Sequence, residues 1–304
     1  MSEATRDSED SVPSVHRPVL LREVIRFLDL REGQTVVDGT IGAGGHSHKI
    51  LKHIGPKGTL IGLDRDPMML RLAAKPVSAS NCFLHQASYA DLGEVLRERK
   101  IQSVERILLD LGIASDQLAD DARGFSFQSE GPLDLRFDTS SGQPAWQLIE
   151  QLSESELAEI LQDYGEERFA GRIAKQLVAR RAVGPVRTAA DLADAVRQSV
   201  PKNFQRQAKK HPATRVFQAL RIAVNDELNH LQTALDGTLY DALSSGGRLV
   251  VISFHSLEDR VVKAAFRGAQ RWQNLTPKPV TATAVEQRMN PRCRTAKLRG
   301  AVKM

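Results

Sequence analysis

The sequence contains little of what marks a secreted, metal-binding or membrane protein. Its 304 residues include only two cysteines, Cys82 and Cys293, which form no CxxC pair and have no clustered histidine, so we expect neither a disulfide framework nor a bound metal. No apolar run approaches the roughly 18 residues of a membrane span, and the polar N-terminus lacks the apolar segment of a signal peptide. These absences predict a cytoplasmic protein that does not contact a membrane.

Acidic residues are missing from two stretches that are rich in cations, although the whole chain has 37 acids. The first stretch holds Lys202, Arg206, Lys209, Lys210, Arg215 and Arg221. The second, toward the C-terminus, holds Arg288, Arg292, Arg294, Lys297, Arg299 and Lys303. Uncompensated positive charge predicts a surface that binds a polyanion such as RNA, and two solvated charged faces are the alternative.

Short apolar runs alternate with helical patterns in the first part of the chain. We predict strands over residues 35–38, 60–64, 82–85, 106–110 and 248–254. Alternating strands and helices are typical of an α/β fold in which a parallel, Rossmann-like sheet carries helices on both faces. The fold class is therefore predicted to be α/β, with crossovers of the usual right hand.

The chain between the fourth and fifth predicted strands is too long for one crossover and predicts an inserted domain. We expect a disordered tail over residues 1–15, followed by a Rossmann-like core that comprises residues 16–112 and 245–304. The insert, residues 113–244, is predicted to be all-helical and to recognise RNA.

Two capping signals and one long apolar pattern support the helical insert. Ser153 precedes Glu156 by three residues, and Thr188 precedes Asp191 by three, which is the capping-box spacing at a helix N-terminus. Apolar residues at helical spacing predict one long helix over about residues 213–235.

The first predicted strand runs into a glycine-rich turn, TVVDGTIGAGGHS, of the kind that lies against a nucleotide cofactor. A nicotinamide enzyme also has such a turn, with the pyrophosphate on the following helix. Asp38 at the strand end would repel a pyrophosphate but suits a cofactor that carries an ammonium and a sulfonium group. The pattern favours a methyltransferase that uses S-adenosylmethionine over a nicotinamide oxidoreductase.

The next three predicted strands end in residues that suit the same cofactor. Asp64 stands where this architecture places an acid for the ribose hydroxyls, and we prefer it to Asp66. Tyr89 follows the third strand and can stack on adenine, with core packing as the alternative. Asp110 ends the fourth strand. Because the carboxyl ends of parallel strands lie at one edge of the sheet, these residues predict a single cofactor crevice.

The chain also resembles a known family across residues 16–299. The motifs DGTIGAGGHS, LDRDP, LLDLGIASDQL, HPATRVFQALRIAVNDEL, GGRLVVISFHSLEDRVVK and NPRCRTAKLR occur in family order. The family is the ribosomal RNA small subunit methyltransferase H family, which methylates the N4 amine of a cytidine in the decoding region of small-subunit (16S) ribosomal RNA. The resemblance implies a class I methyltransferase core, S-adenosylmethionine as cofactor, and rRNA within a ribosomal particle as partner. The sequence does not determine the oligomeric state, and a homodimer is compatible with it.

The resemblance also implies site residues. The positions that match the family's cofactor contacts are Gly44, Gly45, His46, Asp64, Tyr89, Asp110 and Gln117. Gln117 rests on the resemblance alone, whereas the others agree with the pattern of strand ends. The chain departs from the family at Ala114, where serine is common, and at its ending, residues 300–304, which leaves the last strand of the sheet open.

Asp110 is also the predicted catalytic residue. Amine methyltransferases that act on DNA bases often place Asn or Asp before Pro-Pro-Tyr at this point to bind the amine, whereas Leu111 and Gly112 follow here. The alternative is that Asp110 contacts only the cofactor. Phe125 and Phe127 are candidates for contact with the base, although we favour a structural role for both.

The cofactor crevice is too small to select one cytidine among many, so RNA must also be bound elsewhere. We expect Lys209, Lys210, Arg215 and Arg221 in the insert to dock the RNA, while Glu258 forms a local ion pair. An RNA-binding assembly factor that holds the cofactor without transferring a methyl group is a further alternative, which the intact loop and strand-end acids disfavour.

Overall fold

The computed structural model describes residues 18–207, 211–268 and 270–304. Within these ranges, seven strands form one sheet in the order β3-β2-β1-β4-β5-β7-β6. The strands are β1 (Thr35–Asp38), β2 (Thr59–Asp64), β3 (Cys82–Gln86), β4 (Val104–Asp110), β5 (Leu243–Ser253), β6 (Trp272–Asn274) and β7 (Lys297–Lys303). The predicted disordered tail lies outside the described residues. No described helix is both long and apolar enough to cross a membrane.

The α-helices fall between and around these strands. They are α1 (Leu21–Leu28), α2 (Gly45–Ile54), α3 (Pro67–Ala74), α4 (Leu92–Glu98), α5 (Ser115–Ala119), α6 (Ala145–Gln151), α7 (Glu154–Asp163), α8 (Ala170–Arg181), α9 (Ala189–Ser199), α10 (Lys202–Gln207), α11 (Thr214–Asn225), α12 (Glu227–Thr233), α13 (Leu239–Ala242), α14 (Ser256–Ala265) and α15 (Ala284–Met289). The α/β class and the helical insert are therefore confirmed.

All five predicted strands are present and pair in parallel, in the order β3-β2-β1-β4-β5. The sheet is nevertheless mixed, because β7 runs antiparallel to β5 and β6 runs antiparallel to β7. The strand β7 was not predicted, because its charged residues interrupt the apolar pattern from which the other strands were predicted. Arg299 lies in its middle yet is buried, and its guanidinium Nε is 2.7 Å from an oxygen of Asp259. A buried ion pair thus lets a cationic segment lie inside the sheet.

Both predicted capping boxes are formed. Ser153 Oγ accepts the Glu156 amide at 3.3 Å while the Glu156 carboxylate accepts the Ser153 amide at 2.8 Å, which begins α7. Thr188 and Asp191 exchange the equivalent bonds at 3.0 and 3.1 Å, which begins α9. These bonds satisfy amides that lack a partner in the first helical turn.

The predicted long helix over residues 213–235 is divided. Asp226 has a φ of +51°, in the left-handed region, and separates α11 from α12. The preceding side chain, Asn225, is buried and donates to the Leu135 carbonyl at 2.7 Å while accepting the Phe137 amide at 2.7 Å. Because these bonds satisfy a loop that would otherwise be buried unpaired, they outweigh continuation of the helix.

The hydrophobic core has separate parts for the insert and for the sheet. Apolar residues of α6 to α9 and α11 pack together in the insert, whereas Leu231, Leu235 and Leu239 pack with Leu109 and Val251 of the sheet. From Leu231 onward, the predicted insert (residues 113–244) therefore packs with the core of the sheet. Apolar spacing alone could not show which core these helices join.

Candidate active site

A crevice lies along the carboxyl edge of the parallel strands. Its walls come from the ends of β1, β2, β4 and β5, from the insert and from the C-terminal segment. Of the predicted cofactor residues, Gly45, His46, Asp64, Tyr89, Asp110 and Gln117 line it. The strand ends named from the sequence thus meet at one site, as the architecture requires.

Two glycines of the loop after β1 have different surroundings. Gly44 has a φ of +82°, and a Cβ there would lie 3.2 Å from both Pro76 and Val77, so this residue shapes the turn and packs behind it. A Cβ on Gly45 would lie 2.8 Å from Pro18. Gly45 and not Gly44 lines the crevice. Backbone conformation and packing therefore require both glycines.

Asp64 is held by the backbone at the end of β2. One carboxylate oxygen accepts the Gly42 amide at 3.0 Å, and the other accepts the Asp66 amide at 2.9 Å. Burial raises the pKa of Asp64 to about 7, although both amide bonds oppose this shift. A carboxylate oxygen has more than one acceptor site, so Asp64 can still accept bonds from a ligand.

Asp66 serves the fold and not the crevice. Its buried carboxylate accepts bonds from Arg123 at 2.8 Å and from the Gln117 amide nitrogen at 2.9 Å. The Gln117 oxygen in turn accepts the Ala114 amide at 2.9 Å. Gln117 therefore connects the loop after β4 to the loop after β2, which gives this residue a positioning role at the crevice wall.

Asp38 does not line the crevice, which corrects the argument from its charge. Its carboxylate is buried, accepts the Ser47 hydroxyl at 2.7 Å and accepts the Thr40 amide at 3.3 Å. Burial raises the pKa of Asp38, while Ser47 and the adjacent His46 oppose the shift. Asp38 acts on the site through His46 and through the loop that it organises.

The side chains of His46 and Asp110 lie next to each other in the wall of the crevice. His46 Nδ1 lies 3.5 Å from an Asp110 oxygen, and His46 Nε2 lies 2.9 Å from the Val19 carbonyl oxygen. The Asp110 amide donates to the Thr40 hydroxyl at 2.6 Å. Burial raises the pKa of Asp110 to about 7; Arg292 lowers this pKa and Glu258 adds to the rise.

Several residues at the far end of the crevice were not placed there from the sequence. Phe137 and Glu227 come from the insert, Phe254 and Glu258 follow β5, and Arg292 comes from the C-terminal segment. Arg292 donates to the Ile113 carbonyl and to the Ser115 hydroxyl. The NPRCRT motif could have indicated that Arg292 belongs to the site. From the sequence, Arg292 was considered only as one cation of the second basic stretch.

Arg221 has a different role from the predicted contact with RNA. Its guanidinium makes two bonds to Glu227, at 2.7 and 2.9 Å, and the two side chains are 12% and 9% exposed. Carboxylate and imidazole atoms of Glu227, His255 and Glu258 lie within 4.8 Å of one another, a spacing that a metal could use. Because Arg221 bonds both Glu227 oxygens, these residues fit an ion-pair network better than a cation site.

The other predicted RNA contacts lie at the surface or outside the described residues. Arg215 is exposed on α11 and donates to the Glu166 carbonyl at 3.0 Å. Lys209 and Lys210 lie outside the described residues. Phe125 is buried and stacks on Phe137 with ring centroids 5.9 Å apart, and Phe127 stacks on His211, as expected for structural aromatics.

The chain is similar to known proteins over nearly its whole length. The model of the MraW methylase family matches residues 13–304. The chain is 45% identical to the ribosomal RNA small subunit methyltransferase H of Trichlorobacter lovleyi, over 95% of this chain and 98% of the relative. The protein of the same name from Thermotoga neapolitana is also 45% identical, over 94% and 95%. A solved putative rRNA methylase from Clostridium thermocellum aligns with a TM-score of 0.46 at 11% identity, covering 93% and 95%.

The seven-stranded α/β fold and the family match define a class I methyltransferase that depends on S-adenosylmethionine. Within this class, the chain belongs to the MraW methylase family. The residues present fit the cofactor: Asp64 retains acceptor sites for the ribose, Tyr89 offers a ring beside it, and Asp110 Oδ1 is buried without a hydrogen-bond partner among the described residues. When bound, S-adenosylmethionine supplies the methyl group as a sulfonium.

Proposed function

We propose that this protein methylates the N4 amine of a cytidine in the decoding region of small-subunit rRNA, within a ribosomal particle in the cytoplasm. Family membership and the names of the relatives support rRNA as the substrate. The observation that carries the choice of an amine is Asp110, a crevice carboxylate whose Oδ1 has no hydrogen-bond partner among the described residues. A carboxylate can only accept when ionised, so it suits an N–H donor.

Cytosine N4 is a weak nucleophile, because its lone pair is delocalised into the ring. If Asp110 accepts a bond from one N–H, the amine is fixed and electron density returns to nitrogen. The N–C bond then forms as the C–S bond breaks, and the amine loses its proton to the carboxylate. Placement of the amine in line with the methyl group can supply much of the rate by proximity.

The far end of the crevice has the composition of a pocket for a base. A Cβ added at Gly112 would lie 3.5 Å from the Phe254 ring, so this aromatic lies beside the Asp-Leu-Gly turn where no aromatic follows in sequence. Phe137 lines the same end. An unstacked base can pack against aromatic rings of this kind.

The insert supports docking of the remaining RNA. Arg215 is exposed, and Lys202 and Arg206 on α10 are exposed near it in the sequence, with Lys209 and Lys210 between the two helices. We retain Arg215, Lys209 and Lys210 as RNA contacts. We remove Arg221 from this set because Glu227 engages it.

The test is transfer of a radiolabelled methyl group to unmodified small subunits, to precursor particles and to naked rRNA, followed by mass spectrometry of nucleosides. We expect N4-methylcytidine, formed fastest on a particle. Label in another nucleoside, or in protein, would contradict the proposal. If transfer is fastest on naked rRNA, the part of the proposal that names a ribosomal particle as the substrate is wrong.

A further inference from the structure

We propose that His46 is a positioning residue. After Asp110 has taken a proton from the substrate amine, His46 Nδ1 accepts a hydrogen bond from the protonated Asp110 carboxyl group. The inference rests on the proposed function, because it concerns the proton that amine methylation releases. The protein must remove this proton, and the partly exposed Asp110 lies beside the buried His46 in the wall of the crevice.

The hydrogen bonds of His46 determine which ring nitrogen carries its proton. Nε2 lies 2.9 Å from the Val19 carbonyl oxygen, and a carbonyl can only accept, so Nε2 carries the hydrogen. Burial lowers the pKa of His46, which keeps the ring neutral. Nδ1 therefore presents a lone pair, and it lies 3.5 Å from an Asp110 oxygen.

Two acceptors face each other when Asp110 is ionised, and that arrangement is unfavourable. When the carboxyl group is protonated, Asp110 can instead donate a hydrogen bond to His46 Nδ1. A separation of 3.5 Å is long for such a bond, but contacts of this type commonly shorten once substrate is bound. His46 thus favours the protonated carboxyl group, which is the form that Asp110 must adopt after methyl transfer.

Charged groups on the neighbouring elements set the balance of this pair. Asp38 on β1 and Glu286 on α15 raise the proton affinity of His46, which burial lowers. Glu258 on α14 raises the proton affinity of Asp110, and Arg292 lowers it. With the pKa of Asp110 raised to about 7, the carboxyl group can be ionised before transfer and protonated after it near neutral pH.

The step balances as follows. The N–C bond forms, the C–S bond breaks, and the positive charge passes from sulfur to the amine. One N–H proton moves to the Asp110 carboxylate, and rotation about the Cβ–Cγ bond can place the protonated oxygen opposite His46 Nδ1. The proton leaves to water after the methylated base departs.

The first test is His46→Asn, which places an amide near the position of Nδ1. An amide N–H would stabilise the ionised carboxylate, so the rise of single-turnover rate with pH should move to lower pH by about one unit. The maximal rate at saturating cofactor should fall by about 10- to 100-fold. His53→Asn is the matched control, since His53 is exposed on the same helix and its Nδ1 lies 2.8 Å from the Lys49 carbonyl oxygen. An unchanged pH profile in folded His46→Asn would overturn the proposal.

The second test uses the protein without cofactor, and its main measurement is made on the wild-type protein, so it does not depend on how His46→Asn folds. Nitrogen-15 NMR of histidine-labelled protein should show neutral His46 with its hydrogen on Nε2 at pH 7. The Nδ1 resonance should shift in Asp110→Asn. A hydrogen on Nδ1 would contradict the inference. Nucleoside analysis separates the two proposals: N4-methylcytidine with an unmoved pH profile rejects the role of His46, whereas another product with a moved profile rejects only the substrate.

Discussion

The two ends of the crevice are built in different ways. The cofactor end comes from short contiguous segments: the loop after β1 and the residues that end β2 hold Asp64 through the amides of Gly42 and Asp66. The other part of the crevice, which we propose to hold the target base and call the target end, combines Phe137, Glu227 and Arg292 from segments far apart in the chain. A contiguous loop carries its function in a sequence motif, whereas an assembled pocket depends on how distant segments pack.

The difference extends to what holds the side chains in place. Backbone amides orient the acid at the cofactor end, so its geometry follows from the local chain. Charged side chains orient the target end, where Arg221 bonds Glu227 and Arg292 bonds the loop after β4. Substitutions at the target end should therefore affect folding and catalysis together, while those at the cofactor end should affect binding alone.

The largest expected effect is at Asp110, where the two ends meet. Asp110→Ala should reduce methyl transfer by at least about 10²- to 10⁴-fold, the usual contribution of a positioned acid or base. Single-turnover transfer to small subunits measures this effect. Wild-type turnover would reject both the catalytic and the cofactor role of Asp110.

Asp110→Asn separates these two roles, because asparagine keeps an oxygen for the amine but loses the charge. Retained cofactor affinity with partial transfer would show that orientation of the amine is the main contribution. Loss of cofactor affinity would instead make Asp110 chiefly a cofactor ligand. Calorimetry and single-turnover kinetics on the same protein sample distinguish the outcomes.

Arg221→Ala tests whether the target end depends on its ion pair. Removal of one partner leaves the nearly buried Glu227 charge uncompensated, so we expect a loss of about 3 kcal/mol in the free energy of unfolding by urea. The control is Arg197→Ala, which breaks a pair with Asp194 whose side chains are 60% and 46% exposed and should cost less than about 1 kcal/mol. Unchanged stability together with weaker RNA binding would restore Arg221 as an RNA contact.

The same contrast explains which parts of the fold could be predicted. The five parallel strands were found because each is a short apolar run next to a turn. β7 was not found, because Arg299 is buried by pairing with Asp259, which is 40 residues away in the sequence. The break at Asp226 was also missed, since it follows from bonds between Asn225 and a remote loop.

The site divides in the same way. Asp64, Tyr89 and Asp110 could be placed from strand ends, because parallel strands bring their carboxyl ends to one edge. Asp38 was assigned to the crevice from its position before the loop, but its side chain points into bonds with Ser47 and the Thr40 amide. The position of a residue at a strand end predicts where its backbone lies. It does not predict whether the side chain of a strand-end carboxylate points into the crevice or toward partners inside the fold.

Asp64→Ala sharpens the cofactor half of the comparison. Loss of hydrogen bonds to a charged acceptor should weaken S-adenosylmethionine binding by about 1.5 to 3 kcal/mol without unfolding the protein. Calorimetry measures the affinity, and circular dichroism checks the fold. Asp91→Ala, at an exposed aspartate just after Tyr89, is the matched control. Equal affinities for the two variants would remove Asp64 from the site.

The smallest effect at low salt is expected for the Lys209→Glu/Lys210→Glu double variant, which tests the docking surface. If both lysines contact phosphates, the variant makes two fewer contacts. The slope of log affinity against log salt should then become less steep by about 0.7 to 0.9 for each lost contact. Cofactor affinity should not change, because the two lysines belong neither to the glycine loop nor to the strand ends that we propose to bind the cofactor.

The control reverses Lys52 and Lys57 to Glu. Both are exposed, and Lys57 lies just before β2, at the sheet edge opposite the crevice. This control matches the change in net charge, so a local contact is distinguished from the general attraction of a basic protein for RNA. Equal salt slopes in the two double variants would show that the lysines form only a solvated face. Docking would then be expected at the C-terminal basic segment, where Arg292 already reaches the crevice.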